Sequence, residues 1–202
     1  MQDYTLIGKR VPRTDSLAKA IGSAKYVGDI VLPRMLYGKI LRSPHAHAKI
    51  LNIDTSKAEA LPGVKAVVTG KDSPGLPYGV SSTKLDHYFL CSDGVARFVG
   101  DEVAAVAATD EDIAEEALSL IDVEYEVLPA VLDPLKAMEE GAPQIHDSAP
   151  RNIGARAFTH SGNVDEGFKE SDYVYEDRFT FARISHVQLE PFAALAGYDP
   201  TG

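Results

Sequence analysis

The sequence is poor in cysteine and lacks long apolar runs. Cys91 is the only cysteine among 202 residues, so the chain forms no internal disulfide and cannot alone hold an iron–sulfur cluster or a thiolate zinc site. No apolar stretch reaches the roughly 18 residues of a membrane-spanning helix. The first residues, MQDYTLIGKRVPR, also lack the continuous apolar segment of an export signal. These absences predict a cytoplasmic protein without a membrane span.

Positive charge is scarce as well. Thirty acidic residues outnumber twenty basic ones, which gives a formal net charge of −10, and no block of lysine and arginine interrupts the excess. Such a chain repels the phosphate backbone, so we expect no nucleic-acid partner. The hydrophobic content of 45% over 202 residues is enough for one or two globular domains.

The spacing of apolar residues in the first half predicts strands and one short helix. Residues 35–54 contain two runs in which apolar and polar residues partly alternate, and residues 64–70 are strongly apolar, as is typical of strands. A short helix is predicted between residues 54 and 64 and ends at Pro62-Gly63. Its cap can come from one of three residues: Asp54, Thr55 or Ser56.

Residues 100–131 carry the clearest pattern, which predicts a strand, a helix and a second strand. Residues 103–106 are apolar, residues 113–121 repeat apolar side chains at helical spacing, and residues 123–127 alternate. Thr109 and Asp112 resemble a capping box at the start of the helix.

The remainder of the chain predicts a second unit. Asp133-Pro134 begins a short helix, and residues 141–160 have the composition of a linker. Another short helix is predicted within 163–172, and residues 173–181 alternate as a long amphipathic strand. The last stretch, 189–202, predicts a strand without a partner, so we expect this unit to be incomplete.

His45 and His47 are the first residues that suggest chemistry. On a strand they share one face and could chelate zinc, but no third or fourth ligand lies nearby in the sequence. Neutral histidines that bond backbone groups are common. We therefore interpret the pair as structural or surface residues.

Other motifs of catalysis are missing or are better explained by solvent exposure and packing. Six residues separate Gly63 from Gly70, which is too many for a phosphate-binding loop, and no GxGxxG, GxSxG or HExxH motif occurs. Cys91 has no neighbouring base and is interpreted as a packed or half-exposed thiol. The acidic pairs at 115–116 and 139–140 are interpreted as solvated helix faces.

His186 and Glu190 remain as the candidate site. They lie four residues apart at the start of an apolar segment. A carboxylate that enters such a segment must be paired or hydrogen-bonded, or its pKa shifts. Perturbed carboxylates gather at functional sites but also occur in structural networks, so both interpretations stay open on the residues alone.

Three long stretches occur in a familiar order: GSAKYVGDIVLPRMLYGKILRSPHAHAKILNIDTSKAEALPGVKAVVTGKD, then ARFVGDEVAAVAATDEDIAEEALSLIDVEYEVLPAVLDPLKAM, then GNVDEGFKESDYVYEDRFTF with SHVQLEPFAALAGYDP. Together they resemble the beginning of the molybdenum-binding subunit of the xanthine dehydrogenase and aldehyde oxidase family. The resemblance extends from about Gly8 to Gly202. The large subunits of 4-hydroxybenzoyl-CoA reductase and carbon monoxide dehydrogenase belong to the same group.

The resemblance implies an α+β fold class. It implies that SPHAHAKI belongs to the scaffold and that its histidines bind no metal. The expected domains are an N-terminal arm over 1–30, an α/β hammerhead domain with a mixed sheet over 31–140, a linker over 141–160, and the first strands of a truncated molybdenum-cofactor-binding domain over 161–202.

The implied cofactor is molybdopterin, plain or as the cytosine dinucleotide, carrying molybdenum. The implied reaction is hydroxylation with oxygen taken from water, or its reductive reverse. His186 and Glu190 match the family's HxxxE-P motif, which implies a supporting role in the wall of the cofactor site. The family's GGGFGGK-type segment, substrate arginine and late glutamate base have no matching positions here. We therefore expect a fragment or split subunit that binds no cofactor and is not catalytic alone.

The expected partners are the remaining molybdenum-domain polypeptide, an iron–sulfur subunit and a flavin subunit that holds FAD. A second hypothesis belongs to a different class of protein. It is a stand-alone hammerhead-like module that binds a protein or a small ligand without redox chemistry, and it predicts a stable monomer with a complete core.

Overall fold

The computed structural model describes residues 5–78, 87–182 and 184–198. The chain divides into two compact units. We call Arg34–Asp165 the sheet unit, and we call the described residues before Arg34 and after Asp165 the terminal unit. No helix among the described residues is long and apolar enough to cross a membrane.

The described residues form five α-helices and eight strands. The helices are α1 (Ser16–Ala20), α2 (Ser56–Glu59), α3 (Glu111–Ser119), α4 (Pro134–Ala137) and α5 (Val164–Glu170). The strands are β1 (Tyr37–Arg42), β2 (Ala48–Asp54), β3 (Val64–Thr69), β4 (Pro77–Tyr78), β5 (His87–Tyr88), β6 (Val95–Ala96), β7 (Glu102–Ala108) and β8 (Asp122–Val127).

The first sheet has the order β1-β7-β3, and both outer strands run antiparallel to β7. β7 reads EVAAVAA and buries most of its side chains, because a central strand that is covered on both faces favours small apolar residues. The two outer strands each carry a register irregularity, between Leu41 and Arg42 and between Val64 and Ala66.

The second sheet has the order β6-β2-β8, and its strands are also antiparallel. β8 exposes one face and half-buries the other, with Val123 opposite Ile53. β4 and β5 pair separately. The α+β class is thus confirmed, although every described pairing is antiparallel and the mixed strand directions expected above are not found among the described strands.

The predicted strand, helix and strand over 100–131 form as β7, α3 and β8, but the two strands lie in different sheets. The predicted cap of α3 was wrong. Asp110, not Thr109, is the N-cap, and its side chain accepts a hydrogen bond from the Asp112 N–H at 2.9 Å. The carboxylate of Asp110 sits directly before the first helical residue, where the free N–H groups begin.

The other two predicted helix starts in the sheet unit are confirmed. Asp54 accepts a hydrogen bond from the Ser56 N–H at 3.0 Å just before α2. Asp133 accepts from the Leu135 N–H at 2.8 Å at the start of α4, with Pro134 at the first helical position. Hydrogen bonds from the Ser56 side chain and N–H lower the pKa of the Asp54 carboxyl, and backbone N–H groups lower the pKa of the Asp133 carboxyl.

The core of the sheet unit is made of small side chains between α2, α3 and the sheets. One cluster contains Ala58, Ala104, Val106, Ala117 and Ile121, and a second contains Cys91, Ala96 and Val103. Gly63 follows α2 with φ of +102°, and a Cβ atom built there would lie 2.7 Å from Ile113 Cδ1. Glycine is therefore required both for the turn and for the close approach of α3.

The terminal unit differs from these expectations. Its predicted helix forms as α5, but residues 173–181 and 189–198 join no sheet among the described residues. Their apolar side chains are exposed, as at Tyr175 (90%) and Phe181 (91%). The two strand predictions were wrong for the described chain, because an alternating pattern sets the faces of a strand but does not supply the neighbour that its N–H and C=O groups need.

Candidate functional site

The SPHAHAKI stretch connects β1 to β2 and is held by backbone groups. Ser43 is buried, and its N–H donates to the Asp101 carbonyl at 2.8 Å while its own carbonyl accepts from the Gly100 N–H at 2.8 Å. Its hydroxyl accepts from the His45 N–H at 3.1 Å. The corner is thereby fixed against the turn that precedes β7.

Both histidines of this stretch serve packing. His47 is buried, and its Nδ1 lies 2.8 Å from the Pro129 carbonyl oxygen, which requires a proton on Nδ1 because a carbonyl can only accept. The His45 ring meets the Tyr125 ring edge-on at 4.9 Å between centroids. Among the described residues, no group of three His, Cys, Asp or Glu side chains could hold a metal ion. The structural interpretation of the pair is confirmed.

Cys91 is buried in a strained turn. Leu90 and Cys91 both have positive φ, 53° and 46°, and a Cβ atom on the neighbouring Gly70 would lie 2.8 Å from the Leu90 carbonyl oxygen. Burial, together with the carboxylates of Asp101 and Asp93, raises the pKa of the Cys91 thiol. Cys91 is therefore a packed, protonated thiol and not a nucleophile.

A polar network beside this thiol was not predicted from the sequence. Asp101 is buried and accepts hydrogen bonds from the Arg97 N–H at 2.8 Å and the Glu102 N–H at 3.1 Å. The Arg97 guanidinium pairs with Asp93 at 2.6 Å and donates from Nε to the Ile145 carbonyl at 3.2 Å. The spacing of Asp93 and Arg97, four residues apart, was the available signal, but the bond to Ile145 spans 48 residues.

The first half of the predicted linker is ordered around one side chain. Asn152 accepts from the Ile145 N–H, and its amide nitrogen donates to the carbonyls of Ala137 and Pro143, each bond being 2.9 Å long. Arg151 donates from Nε to the Met138 carbonyl at 2.7 Å. We call residues 137–153 the Asn152 corner.

His186 and Glu190 lie in the terminal unit, and both side chains are exposed. Val187 between them has φ of 37°, a conformation that a β-branched residue rarely adopts. Neither His186 nor Glu190 bonds to another described residue, so the described chain does not bring them together with further polar groups. The acidic pairs at 115–116 and 139–140 are exposed as predicted.

Residues 21–129 match the family model described as aldehyde oxidase and xanthine dehydrogenase, a/b hammerhead domain. The chain belongs to the aldehyde oxidase and xanthine dehydrogenase family. Residues 145–202 also match the molybdopterin cofactor-binding domain. The sheet unit therefore contains most of the hammerhead domain of this family, as the resemblance implied.

Curated relatives in this family share the chain's sequence over most of its length. A probable xanthine dehydrogenase subunit of Bacillus subtilis (strain 168) is 45% identical over 91% of this chain and 24% of the relative. The nicotinate dehydrogenase large molybdopterin subunit of Eubacterium barkeri is 39% identical over 100% of this chain and 46% of the relative. The chain thus spans between a quarter and a half of these relatives.

Solved structures give the same family. The crystal structure of quinoline 2-oxidoreductase from Pseudomonas putida 86 superposes with a TM-score of 0.62 and 40% identity, covering 70% of this chain and 19% of that one. The Cu,Mo-CO dehydrogenase superposes with a TM-score of 0.61 and 40% identity, covering 70% of this chain and 18% of that one.

The residues described here do not by themselves fit around a pterin cofactor. The segment that matches the cofactor-binding domain is folded up to Asn152, but the side chains of residues 154–198 that the structure describes are exposed. A pterin needs polar groups that converge in a concave site, and His186 and Glu190 form no such site with the described chain. These residues contain the hammerhead domain and the start of the cofactor-binding segment.

Proposed function

We propose that this chain is the N-terminal part of the molybdenum-binding subunit of a molybdenum hydroxylase, an oxidoreductase. The observation that carries the proposal is the order of the two family matches, with the hammerhead domain over 21–129 and the cofactor-binding domain from 145 onward. The chain's own role is to scaffold the cofactor domain and contact partner subunits. We propose domain boundaries at 31–140 for the hammerhead domain, 141–160 for the linker and 161–202 for the start of the cofactor-binding domain. The match to the cofactor-binding model already begins within this linker, at residue 145.

The cofactor of the whole enzyme is molybdopterin with molybdenum, as the plain pterin or the cytosine dinucleotide. When bound, it supplies the redox chemistry of hydroxylation with water-derived oxygen, and the protein groups around it orient and tune it. Iron–sulfur clusters and FAD belong to separate subunits in this proposal. The chain's one cysteine is buried and protonated and cannot hold a cluster by itself. We place the assembly in the cytoplasm.

His186 and Glu190 are proposed to line the wall of the cofactor site. The support for this role is the HxxxE-P spacing within the segment that matches the cofactor-binding domain. Both side chains are exposed in the described chain, so they are available to polypeptide or cofactor that covers the segment.

The test is to coexpress the chain with the polypeptide encoded downstream and to measure molybdenum in the purified assembly by mass spectrometry. We expect about one molybdenum per assembly, and a metal-free, inactive assembly would contradict the proposal. The variants His186→Ala and Glu190→Gln are expected to lower the molybdenum content, whereas Gln188→Ala, a matched exposed neighbour, is expected to leave it unchanged.

The second hypothesis, a stand-alone binding module, predicts a complete core. The exposure of Tyr175 and Phe181 weighs against it, because large aromatic side chains rarely remain in water along a whole segment. A cooperative unfolding transition in which amides of both units are equally protected would favour the module instead.

A further inference from the structure

The Asn152 corner covers part of the gap between the two family matches and the first residues of the second match. The hammerhead match ends at residue 129 and the cofactor-binding match begins at residue 145. Between them the chain turns through α4, and one amide side chain joins the ends of this turn by bonding Ala137, Pro143 and Ile145. The corner therefore ties the first residues of the cofactor-binding match to the last helix before it.

The backbone at this point restricts which residue can do this. Arg151 and Asn152 have φ of 57° and 56°, in the left-handed region that asparagine and glycine tolerate better than other residues. The Asn152 side chain is partly buried and uses its oxygen and its nitrogen together. Glycine would fit the backbone but lose all three bonds.

A second link carries the corner to the sheet. The Ile145 N–H bonds to Asn152, and the Ile145 carbonyl accepts from Arg97 Nε at 3.2 Å. Arg97 is in turn held by Asp93 through its guanidinium and by Asp101 through its backbone N–H. A continuous hydrogen-bonded path therefore runs from the turn before β7 to Asn152.

We propose that Asn152 is a positioning residue that fixes the first residues of the cofactor-binding segment, 145–153, on the hammerhead scaffold. The role of that segment rests on the proposed function above. Asn152 touches no reacting group in this proposal. It acts through the Ile145 backbone and Arg97, so that the segment leaves the sheet unit from a fixed point.

The first experiment measures amide hydrogen exchange by NMR in the 202-residue chain. In Asn152→Gly, exchange of the Ile145 amide is expected to rise by about tenfold or more, because its partly buried acceptor is lost, while the amides of β7 are unaffected. In Asn152→Asp the carboxylate still accepts, so the Ile145 amide is expected to exchange more slowly than in the glycine variant. Arg151→Gly, which shares the left-handed backbone, is the matched control. It removes the bond to the Met138 carbonyl but none to Ile145, so exchange of the Ile145 amide is expected to remain within about twofold of the unmodified chain.

The second experiment measures molybdenum in the assembly with the downstream polypeptide. A severalfold lower content is expected in Asn152→Gly and not in Arg151→Gly, with the amides of β7 as protected in both variants as in the unmodified chain. Unchanged Ile145 exchange in Asn152→Gly, equal exchange in the Gly and Asp variants, or an equal rise across β7 would each overturn the proposal. So would full molybdenum content in a variant whose corner has opened. If the unmodified assembly contains no molybdenum, the proposed function fails, and the exchange result alone decides the positioning role.

Discussion

The sheet unit and the terminal unit contain similar patterns of apolar residues but use them differently. β8 alternates and half-buries one face where it pairs with β2, whereas residues 173–181 alternate as clearly and stay exposed. A period of two therefore chooses the two faces of a strand, while burial requires a neighbour that pairs with its backbone. Paired substitutions in the two units test this contrast.

The largest effect is expected from a charge placed on an equivalent apolar residue in each unit. Val103 is fully buried, so Val103→Asp should destabilise the sheet unit by more than about 4 kcal/mol. Val174 is 59% exposed, so Val174→Asp should change the free energy of unfolding by less than about 0.5 kcal/mol. Urea unfolding followed by circular dichroism measures both. A large effect of Val174→Asp would show that the terminal unit is packed in solution.

The next effect concerns glycines. A Cβ atom on Gly70 would lie 2.8 Å from both the Leu90 carbonyl oxygen and Ser92 Cα, and neither backbone atom can move aside cheaply. We expect Gly70→Ala to destabilise the sheet unit by about 2 kcal/mol. Gly197→Ala in the terminal unit meets nothing within 4 Å and should be neutral. A neutral Gly70→Ala would contradict the close approach of Gly70 to the Leu90–Cys91 turn.

A smaller effect is expected from pH. Burial raises the pKa of the Cys91 thiol in the folded chain, so the folded chain keeps its proton while the unfolded thiol ionises near pH 8.5. Cys91 therefore does not lower the free energy of unfolding below that pH. Above it, ionisation of the unfolded thiol lowers the free energy of unfolding, by about 1 kcal/mol between pH 8.5 and 9.5. The difference between the unmodified chain and Cys91→Ala isolates this slope from other titrating groups.

Thiol labelling compares the burial of one residue in each unit. Iodoacetamide should label Cys91 only as fast as the sheet unit opens, whereas a thiol introduced as Ala193→Cys in the exposed terminal unit should react at once. Rapid labelling of Cys91 in the native chain would contradict its burial.

The smallest effect is expected at a helix cap. Hydrogen bonds from the Lys136 and Leu135 N–H groups lower the pKa of Asp133, so its contribution is present at neutral pH and disappears as pH falls through the folded pKa. Asp133→Ala should lower the Tm slightly at pH 7 and have no effect in strong acid. Asp172→Ala, an exposed carboxylate of the terminal unit, should change the Tm at neither pH. A Tm decrease for Asp133→Ala that persists in strong acid would argue against the cap.

Local features of the fold could be predicted from the sequence, and distant ones could not. The elements β7, α3 and β8, the cap at Asp133 and the hydrogen bond that Asp54 accepts just before α2 depend on residues within a few positions of one another. The pairing of β1 and β3 on either side of β7, and the two-residue strands β4, β5 and β6, depend on partners that no local period identifies. The hydrogen bond from Arg97 to the Ile145 carbonyl could not be predicted for the same reason, since it joins residues 48 positions apart.

The candidate site was predictable to a different degree. Packing roles for His45, His47 and Cys91 could be inferred from missing ligands and bases, and the structure confirms them. The importance of Asn152 was not predictable, since asparagine in a stretch rich in proline and glycine is typical of a linker. Its three bonds reach residues 7 to 15 positions away. The role of His186 and Glu190 stays a prediction.

The irregular register of the two outer strands of the first sheet has a consequence for solubility. The unpaired N–H and C=O groups of an open strand edge can pair with the backbone of a second molecule, which is how many proteins begin to aggregate. β1 and β3 disfavour such docking, since each is short, contains a register irregularity and carries a lysine, Lys65 on β3 and Lys39 on β1, where Lys39 is paired with Glu111. Both outer strands of the first sheet therefore carry features that disfavour self-association.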